Sequence, residues 1–244
     1  MTTVARGEHD TAEDPLPLAR DLLVAVRTDA PTAALETRLA DLEETTLTDA
    51  LVTDTEKLAF WCNSYNAFAQ LLLERYPGEY EQSRRRFFGH EAISVAGQWL
   101  SLDTIEHGLL RASQSNLGLG YLPRLSPSEF ERRHRISERD WRIHFALNCG
   151  AASCPPIRAY EAERIDEQLT LAAESYLTQE VEYDAETGVA RVPRLMLWYR
   201  GDFGGGSGIR EILRECECVP ENVSPKLRYG EYDWSKTTGM FVDY

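Results

Sequence analysis

The sequence predicts an α+β protein: a single domain in which a small, mostly antiparallel sheet packs with several helices. Three observations lead there. The patterns run helices, hairpin, helix, strand, helix, hairpin, helix, with no parallel βαβ unit. The 244 residues fit one domain. The composition, 43% hydrophobic and 27% charged, is globular. We predict a disordered lead-in over residues 1–14 and one domain over 15–244.

Helices dominate the first part of the predicted fold. Leu16–Val26 has apolar residues at helical spacing, and Pro31–Leu42 opens with proline at a permitted first-turn position. The strongest helix is Lys57–Arg75, which Pro77-Gly78 ends. Its apolar face is made by residues three or four apart, namely Leu58, Trp61, Tyr65, Phe68 and Leu72.

The middle of the chain predicts a hairpin and then a helix. Glu91–Leu102 has strand residues on either side of Ala96-Gly97. The helix over Ser101–Arg111 can be capped by Ser101 or Asp103, and Asp103 with Glu106 has the spacing of a capping box.

The last part predicts elements of both kinds. A buried strand, broken by Cys149-Gly150, is followed by an amphipathic helix, a hairpin and, after a glycine-rich loop over Gly201–Gly208, a final helix. Their ranges are Ile143–Asn148, Tyr160–Leu177, Val181–Val192 and Ile209–Cys216. The glycine-rich loop lacks the sequence motifs of nucleotide-binding loops. The one binding feature it predicts is the N-terminus of the following helix, which can accept an anion.

The charge balance narrows the classes of partner. The formal net charge is -14, and lysine occurs only at Lys57, Lys226 and Lys236. Such an acidic surface disfavours nucleic acids and anionic membranes, and halophilic proteins use it to stay soluble. With no apolar signal or spanning segment, we expect a cytoplasmic protein. Five cysteines in such a chain do not predict a disulfide scaffold.

Two cysteines lie where the predicted strand ends. Cys149, beside Gly150, can face a cleft as a reactive thiol, but cysteine is also a common buried apolar residue. Cys154 has three competing roles: a structural thiol, a resolving partner for Cys149, or a metal ligand with His144. The five-residue spacing is loose for zinc and no second ligand pair matches it, so we predict no metal and no cofactor.

Other polar residues are placed to assist a thiol. His107 and Arg111 share a helix face. They are either a base beside an anion-binding guanidinium or ordinary surface charges. The amides of Asn63, Asn66 and Gln70 form a stripe that either supports a loop or meets a substrate. Asp202 and Asp233, in aromatic–acid clusters, either pack in the core or orient a histidine.

Five blocks of the sequence resemble the family called domain of unknown function 547: FWCNSYNAF (60–68), SLDTIEHGLLR (101–111), HFALNCGAASCPPIRAY (144–160), WYRGDFG (198–204) and YDWS (232–235). The resemblance spans about Lys57 to Ser235, and implies that the shared residues converge on one site. Those residues are Trp61, Asn63, Tyr65, Asn66, His107, Arg111, His144, Asn148, Cys149, Cys154, Trp198, Tyr199, Asp202 and Trp234.

These residues lead to three hypotheses. The first is a thiol-dependent hydrolase or acyl transferase for an amide, peptide or isopeptide, with papain and transglutaminases as analogies. In it Cys149 is the nucleophile, His107 or else His144 the base, and Asn63 or the 149–154 backbone the oxyanion donor. Arg111 would hold a substrate carboxylate, and the other residues facing substrate would be Asn66, Asn148, Tyr65, His144, Cys154, Trp198 and Asp202. The second hypothesis is a non-catalytic module that binds a peptide or small ligand. The third is a Cys149–Cys154 redox pair.

Overall fold

The computed structural model describes residues 13–243 and is mostly helical, with two small sheets, which confirms a mixed α+β protein. The α-helices are α1 (Pro15–Arg27), α2 (Ala33–Asp41), α3 (Glu44–Ala50), α4 (Asp54–Arg75), α5 (Pro77–Gln82), α6 (Arg84–Phe88), α7 (Glu129–His134), α8 (Ile165–Glu180), α9 (Leu195–Trp198) and α10 (Gly205–Glu215). A π-helix spans Thr104–Leu110, and 3-10 helices span Trp141–Phe145 and Ala162–Arg164.

The strands form a hairpin and a three-stranded sheet. The hairpin pairs β1 (Ile93–Val95) with β2 (Gln98–Leu100) as the sequence predicts. In the second sheet β3 (Glu182–Asp184) pairs antiparallel with β4 (Val189–Val192), and β4 pairs with β5 (Lys226–Tyr229). The β4–β5 pair is parallel, because the chain between them crosses over through α9 and α10. The expectation of no parallel connection is therefore wrong for this pair.

Helix α4 forms the centre of the fold. Thr53 and Glu56 cap its N-terminus with a capping box, and every residue from Leu58 to Leu73 is buried. A helix buried on all sides carries its amides into the interior, where they need partners. The predicted helix is confirmed, and its polar stripe becomes a set of internal hydrogen bonds.

The core consists of two apolar clusters that meet along α8. Ile165 and Leu169 belong to the first cluster, with residues of α1, α4 and the β1–β2 hairpin. Ala173 and Leu177 belong to the second, with residues of β4 and α10. Of the predicted lead-in, residues 1–12 lie outside the described residues, whereas Asp14 accepts a hydrogen bond from the Leu16 amide and caps α1.

Two predicted elements have a different geometry in the structure. The helix over 101–111 is a π-helix that Ser101, not Asp103, caps, through a 3.1 Å bond from the Thr104 amide. The prediction of a strand over Ile143–Asn148 is wrong. The chain there forms a 3-10 helix, which Asp140 caps, followed by irregular backbone. A short apolar run does not by itself distinguish a strand from a buried helical turn.

The ends of two later helices also differ from the predicted ones. Helix α8 begins at Ile165 rather than Tyr160, after the 3-10 turn Ala162–Arg164. Helix α10 begins at Gly205, inside the predicted glycine-rich loop. At Gly208 an added Cβ would lie 2.0 Å from the Phe203 carbonyl oxygen, so this glycine permits a close approach of two backbones. Across residues 13–243, no helix combines the length and apolarity needed to cross a membrane.

Candidate functional site

A cavity of about 250 Å³ brings together Cys149, His107 and His144 among the polar residues that the sequence singles out. Residues from the π-helix, the 144–155 segment, α9 and the 232–234 segment line it. Its reactive groups are the Cys149 thiol, the His107 and His144 imidazoles and the Asp103 and Glu106 carboxylates, and its aromatic walls include Tyr65, Trp198, Tyr199, Tyr232 and Trp234.

The thiols of Cys149 and Cys154 are in contact at the cavity wall. Their sulfurs are 2.7 Å apart, and both cysteines are free. Cys149 is partly exposed and lines the cavity, whereas Cys154 is buried behind it. The Tyr232 hydroxyl lies 3.2 Å from the Cys154 sulfur and 3.4 Å from the Cys149 sulfur. The Tyr232 hydroxyl therefore lies within hydrogen-bond distance of both sulfurs.

Hydrogen bonds place the negative charge of this pair on Cys154. Its sulfur accepts the backbone N–H groups of Cys149, at 3.1 Å, and Ala151, at 3.4 Å. Burial opposes its ionisation, but the bonds from Cys149, Tyr232 and the two amides outweigh burial and lower the pKa of Cys154 to about 7. The same partnership raises the pKa of Cys149, because its proton bridges to the Cys154 sulfur.

The loop that carries the thiols is held by backbone bonds on both sides. The amides of Ala152 and Ser153 donate to the carbonyls of Ser235 and Asp233, and the Thr237 amide donates to the Gly150 carbonyl. The amides of 149, 150, 151 and 154 bond to sulfur, to Asn148 or within the loop. All six N–H groups of the 149–154 loop are thus occupied and leave no free oxyanion donor there.

Gly150 is required by both its conformation and its surroundings. Its φ is +83°, and an added Cβ would lie 2.3 Å from the Leu73 side chain. We expect Gly150→Ala to destabilise the protein by about 1–3 kcal/mol and to displace the thiols, because overpacking adds to backbone strain. Urea unfolding measures the loss. Gly188→Ala is the control, since Gly188 has a φ of +64° but nothing within 4 Å of an added Cβ; equal losses would contradict the role of Leu73.

His144 is held by a carboxylate on the far side of its ring. Its Nε2 donates to Asp202 Oδ2 at 2.9 Å, and its ring stacks on Tyr199 at 3.9 Å. Asp202 also accepts bonds from Arg111 Nε, at 2.6 Å, and from Arg139 Nη1, at 3.0 Å. Burial lowers the pKa of His144 and favours the neutral ring. With the proton on Nε2, Nδ1 carries a lone pair, and no described residue donates a hydrogen bond to it.

His107 is less available for proton transfer. Arg111 Nη1 lies 2.8 Å from its Nδ1, and since a guanidinium only donates, Nδ1 is the acceptor and the ring proton lies on Nε2. Nε2 faces Asp103 Oδ1 at 3.7 Å. Burial lowers the pKa of His107. Within residues 13–243 no hydrogen bond joins either His107 or His144 to Cys149, although all three line the cavity.

The predicted amides hold backbone instead of facing the cavity. Asn63 bonds both backbone groups of Tyr160, and Asn66 bonds the Ala146 carbonyl and the Asn148 amide. Asn148 in turn donates to the Pro155 carbonyl and accepts from the Gly150 amide, with Gln70 3.4 Å away. These bonds support the thiol loop, and Asn63 is not placed as an oxyanion donor.

Asn66 provides a test of this support. We expect Asn66→Ala to destabilise the protein by about 1–3 kcal/mol, since it leaves a buried carbonyl and a buried amide without partners. Thermal and urea unfolding would show the loss. Asn222→Ala, at an exposed position, is the matched control and should change little. A loss no larger than that of the control would show that Asn66 is dispensable.

The structure places the remaining predicted residues in two groups. Tyr65 and Trp198 line the cavity. Arg111 does not line it: its guanidinium is buried, bonds Asp202 and lies 4.7 Å over the Tyr199 ring, so it positions the aspartate.

The carboxylates of Asp103 and Glu106 line the cavity but were not among the predicted site residues. Glu106 accepts the Tyr199 hydroxyl at 2.6 Å and the Tyr65 hydroxyl at 3.4 Å. The spacing of the two acids suggested a helix cap, which concealed this role. Within the described range, no group of three or more His, Cys, Asp or Glu side chains is placed to hold a metal.

The profile of the family described as "Protein of unknown function, DUF547" matches residues 50–177, just over half of the chain. Comparison with curated proteins and with solved structures found no match. The matched span includes α4, the π-helix and the thiol loop, whereas Asp202 and Tyr232 lie beyond it. The chain therefore belongs to the DUF547 family of proteins of unknown function.

Proposed function

We propose that the protein carries out thiol–disulfide exchange through Cys149 and Cys154. The observation that carries this proposal is the 2.7 Å contact between the two sulfurs, one facing the cavity and the other buried among hydrogen-bond donors. Exchange needs an accessible sulfur that can become a thiolate and a second sulfur that resolves the mixed disulfide. In this pair Cys149 is the accessible sulfur, and the buried Cys154 thiolate beside it can take its proton. Because the amides of the 149–154 loop are occupied, this loop offers no oxyanion donor for acyl transfer, which favours exchange as the first proposal.

The exchange uses one proton and two sulfurs. The pair begins with one proton, shared between Cys149 and a thiolate on Cys154. Cys149 attacks a substrate disulfide R–S–S–R′ as its proton passes to Cys154, which gives a mixed disulfide and R′–S⁻. Cys154 then attacks the Cys149 sulfur, which breaks the bond from Cys149 to R–S. The proton that Cys154 had received goes to the leaving sulfur and gives R–SH. The substrate is reduced to two thiols and the cysteines are oxidised to one disulfide.

Mass spectrometry of the purified protein tests this scheme. After incubation with bis(2-hydroxyethyl) disulfide near neutral pH and blocking of free thiols, we expect a Cys149–Cys154 disulfide in the wild type. Cys154→Ser should stop at a mixed disulfide on Cys149, and Cys149→Ser should form neither. Cys216 and Cys218 are the internal control, because burial raises the pKa of Cys216 to about 12 and that of Cys218 as well. Oxidation only at Cys216 or Cys218 would overturn the proposal.

A second function is favoured by His144. Its Nδ1 is free to accept a proton and Asp202 fixes the ring, as the histidine–carboxylate pair does in cysteine hydrolases and acyl transferases. We propose that the cavity also suits hydrolysis or acyl transfer on Cys149, with His144 rather than His107 as the general base. Papain and transglutaminases are analogies of chemistry only.

An activated ester distinguishes this second function from exchange. We expect an acyl group on Cys149 in the wild type, and slower acylation in His144→Gln, while disulfide exchange with bis(2-hydroxyethyl) disulfide stays near the wild-type rate. Exchange without any acylation of Cys149 would exclude the hydrolase or transferase. Ligand binding with neither reaction would leave a non-catalytic binding module.

A further inference from the structure

Among the described residues, the cavity carboxylates of Asp103 and Glu106 have only His107 as an ion-pair neighbour, at 3.7 and 3.6 Å. The Asp103 side chain is 27% exposed, and within the described chain no group donates it a hydrogen bond. Burial and the nearby Glu106 raise the pKa of Asp103 to about 6. Glu106 accepts the hydroxyls of Tyr199 and Tyr65. Burial raises the pKa of Glu106, but the nearby His107 and Arg111 and the Tyr199 bond outweigh burial and keep this carboxyl ionised. Both acids line the same cavity as Cys149, whose sulfur contacts the buried Cys154 sulfur behind it.

The cations near these acids are largely committed elsewhere. Arg111 is bound to Asp202, and Arg124 donates to Glu131 at 2.8 Å. His107 is neutral when it accepts from Arg111. Arg85 lines the cavity but is exposed, so solvent screens its charge. Within the part of the chain that the structure describes, no arginine or lysine forms an ion pair with either carboxylate, which leaves both able to receive a cation from a ligand.

The aromatic walls add to this preference for a cation. Trp198, Tyr232 and Trp234 contact one another with ring centroids 4.6–5.5 Å apart. The faces of such rings carry negative potential and attract ammonium and guanidinium groups. One ring already holds a cation, since the Arg84 guanidinium lies 4.7 Å from the Trp234 centroid. At about 250 Å³ the cavity suits a side-chain-sized group.

We propose that the cavity recognises the positively charged end of its substrate, an ammonium or guanidinium group held by Asp103, Glu106 and the aromatic walls, which brings the neighbouring sulfur to Cys149. This proposal rests on the proposed thiol–disulfide exchange and names its substrate class: disulfides or thiols that carry an amine or guanidine. Anionic disulfides are excluded by the same charges.

Three small disulfides of different charge test this specificity. Cystamine is cationic, bis(2-hydroxyethyl) disulfide neutral and dithiodiglycolate anionic, and each rate is divided by its rate with a free small thiolate to remove intrinsic reactivity. We expect cystamine to react fastest and dithiodiglycolate slowest. Asp103→Asn and Glu106→Gln should each lower the ratio of the cystamine rate to the neutral-disulfide rate about tenfold. Equal normalised rates for the three disulfides would overturn the proposal.

A binding measurement separates this proposal from the exchange itself. Cadaverine, a diamine without sulfur, should quench the tryptophan fluorescence of Cys149→Ser, and Asp103→Asn should weaken that binding. Binding without exchange in the wild type would remove the proposed function but retain the cation site. Exchange without charge preference and without cadaverine binding would support thiol–disulfide exchange and contradict the cation site.

Discussion

Asp202→Asn is expected to destabilise the protein by about 3–5 kcal/mol, the largest loss among the single substitutions considered. The side chain is 2% exposed and bonds His144, Arg111 and Arg139. An amide has one acceptor oxygen and no charge, so the buried Arg111 guanidinium would lose its counter-ion. Urea unfolding measures the effect. Asp49→Asn, at an exposed position, is the control, and similar losses for both would contradict the role of Asp202.

Because of the Asp202 carboxylate, we also expect the free energy of unfolding to depend on pH. Burial raises the pKa of Asp202, but the bonds and charges of His144 and Arg111 outweigh burial and hold it well below its usual range. Because the folded pKa lies below the unfolded one, the stabilisation is complete above about pH 4 and is lost as the pH falls further. Below pH 4 the wild type should lose stability more steeply than Asp202→Asn. Parallel curves would contradict this assignment.

Cys154→Ser is expected to remove the thiolate that ionises near neutral pH. In the wild type one thiolate should appear with a pKa of about 7, visible as absorbance near 240 nm. Without Cys154, the sulfur that receives the two amide hydrogen bonds is gone, and Cys149 should ionise more than one pH unit higher. The fraction of thiolate at pH 7 should fall about fivefold or more.

A control and an intermediate variant complete this titration. Cys218→Ser should leave the midpoint unchanged, since this thiol lies apart from the pair. Tyr232→Phe should raise the midpoint by less than Cys154→Ser, because it removes one of several donors. An unchanged midpoint in Cys154→Ser would place the thiolate elsewhere.

Local patterns in the sequence were sufficient to predict α4, the β1–β2 hairpin and the proximity of His107 to Arg111. Each depends on residues a few positions apart, where helix and turn geometry leave little choice. The segment 143–148 was mispredicted because a distant side chain completes it: Asn66 bonds its backbone at two points, as a neighbouring strand would.

The candidate site shows the same limit. The two cysteines lie five residues apart, so their contact could be anticipated as a redox pair. The partnership of His144 with Asp202 joins residues 58 positions apart, and no local pattern favours it over His107. The use of Asn63 on the Tyr160 backbone is also set by tertiary packing, which brings together groups 97 positions apart.

The bonds between the thiol loop and the 233–237 segment have a consequence for synthesis of the protein. On the ribosome, Cys149 and Cys154 emerge some eighty residues before the segment that fixes their loop and supplies the Tyr232 hydroxyl. Helix α4 and its amides are complete by then, but the loop lacks its outer partner. We therefore expect the pKa of Cys154 to be higher in a chain that ends before Tyr232 than in the full chain.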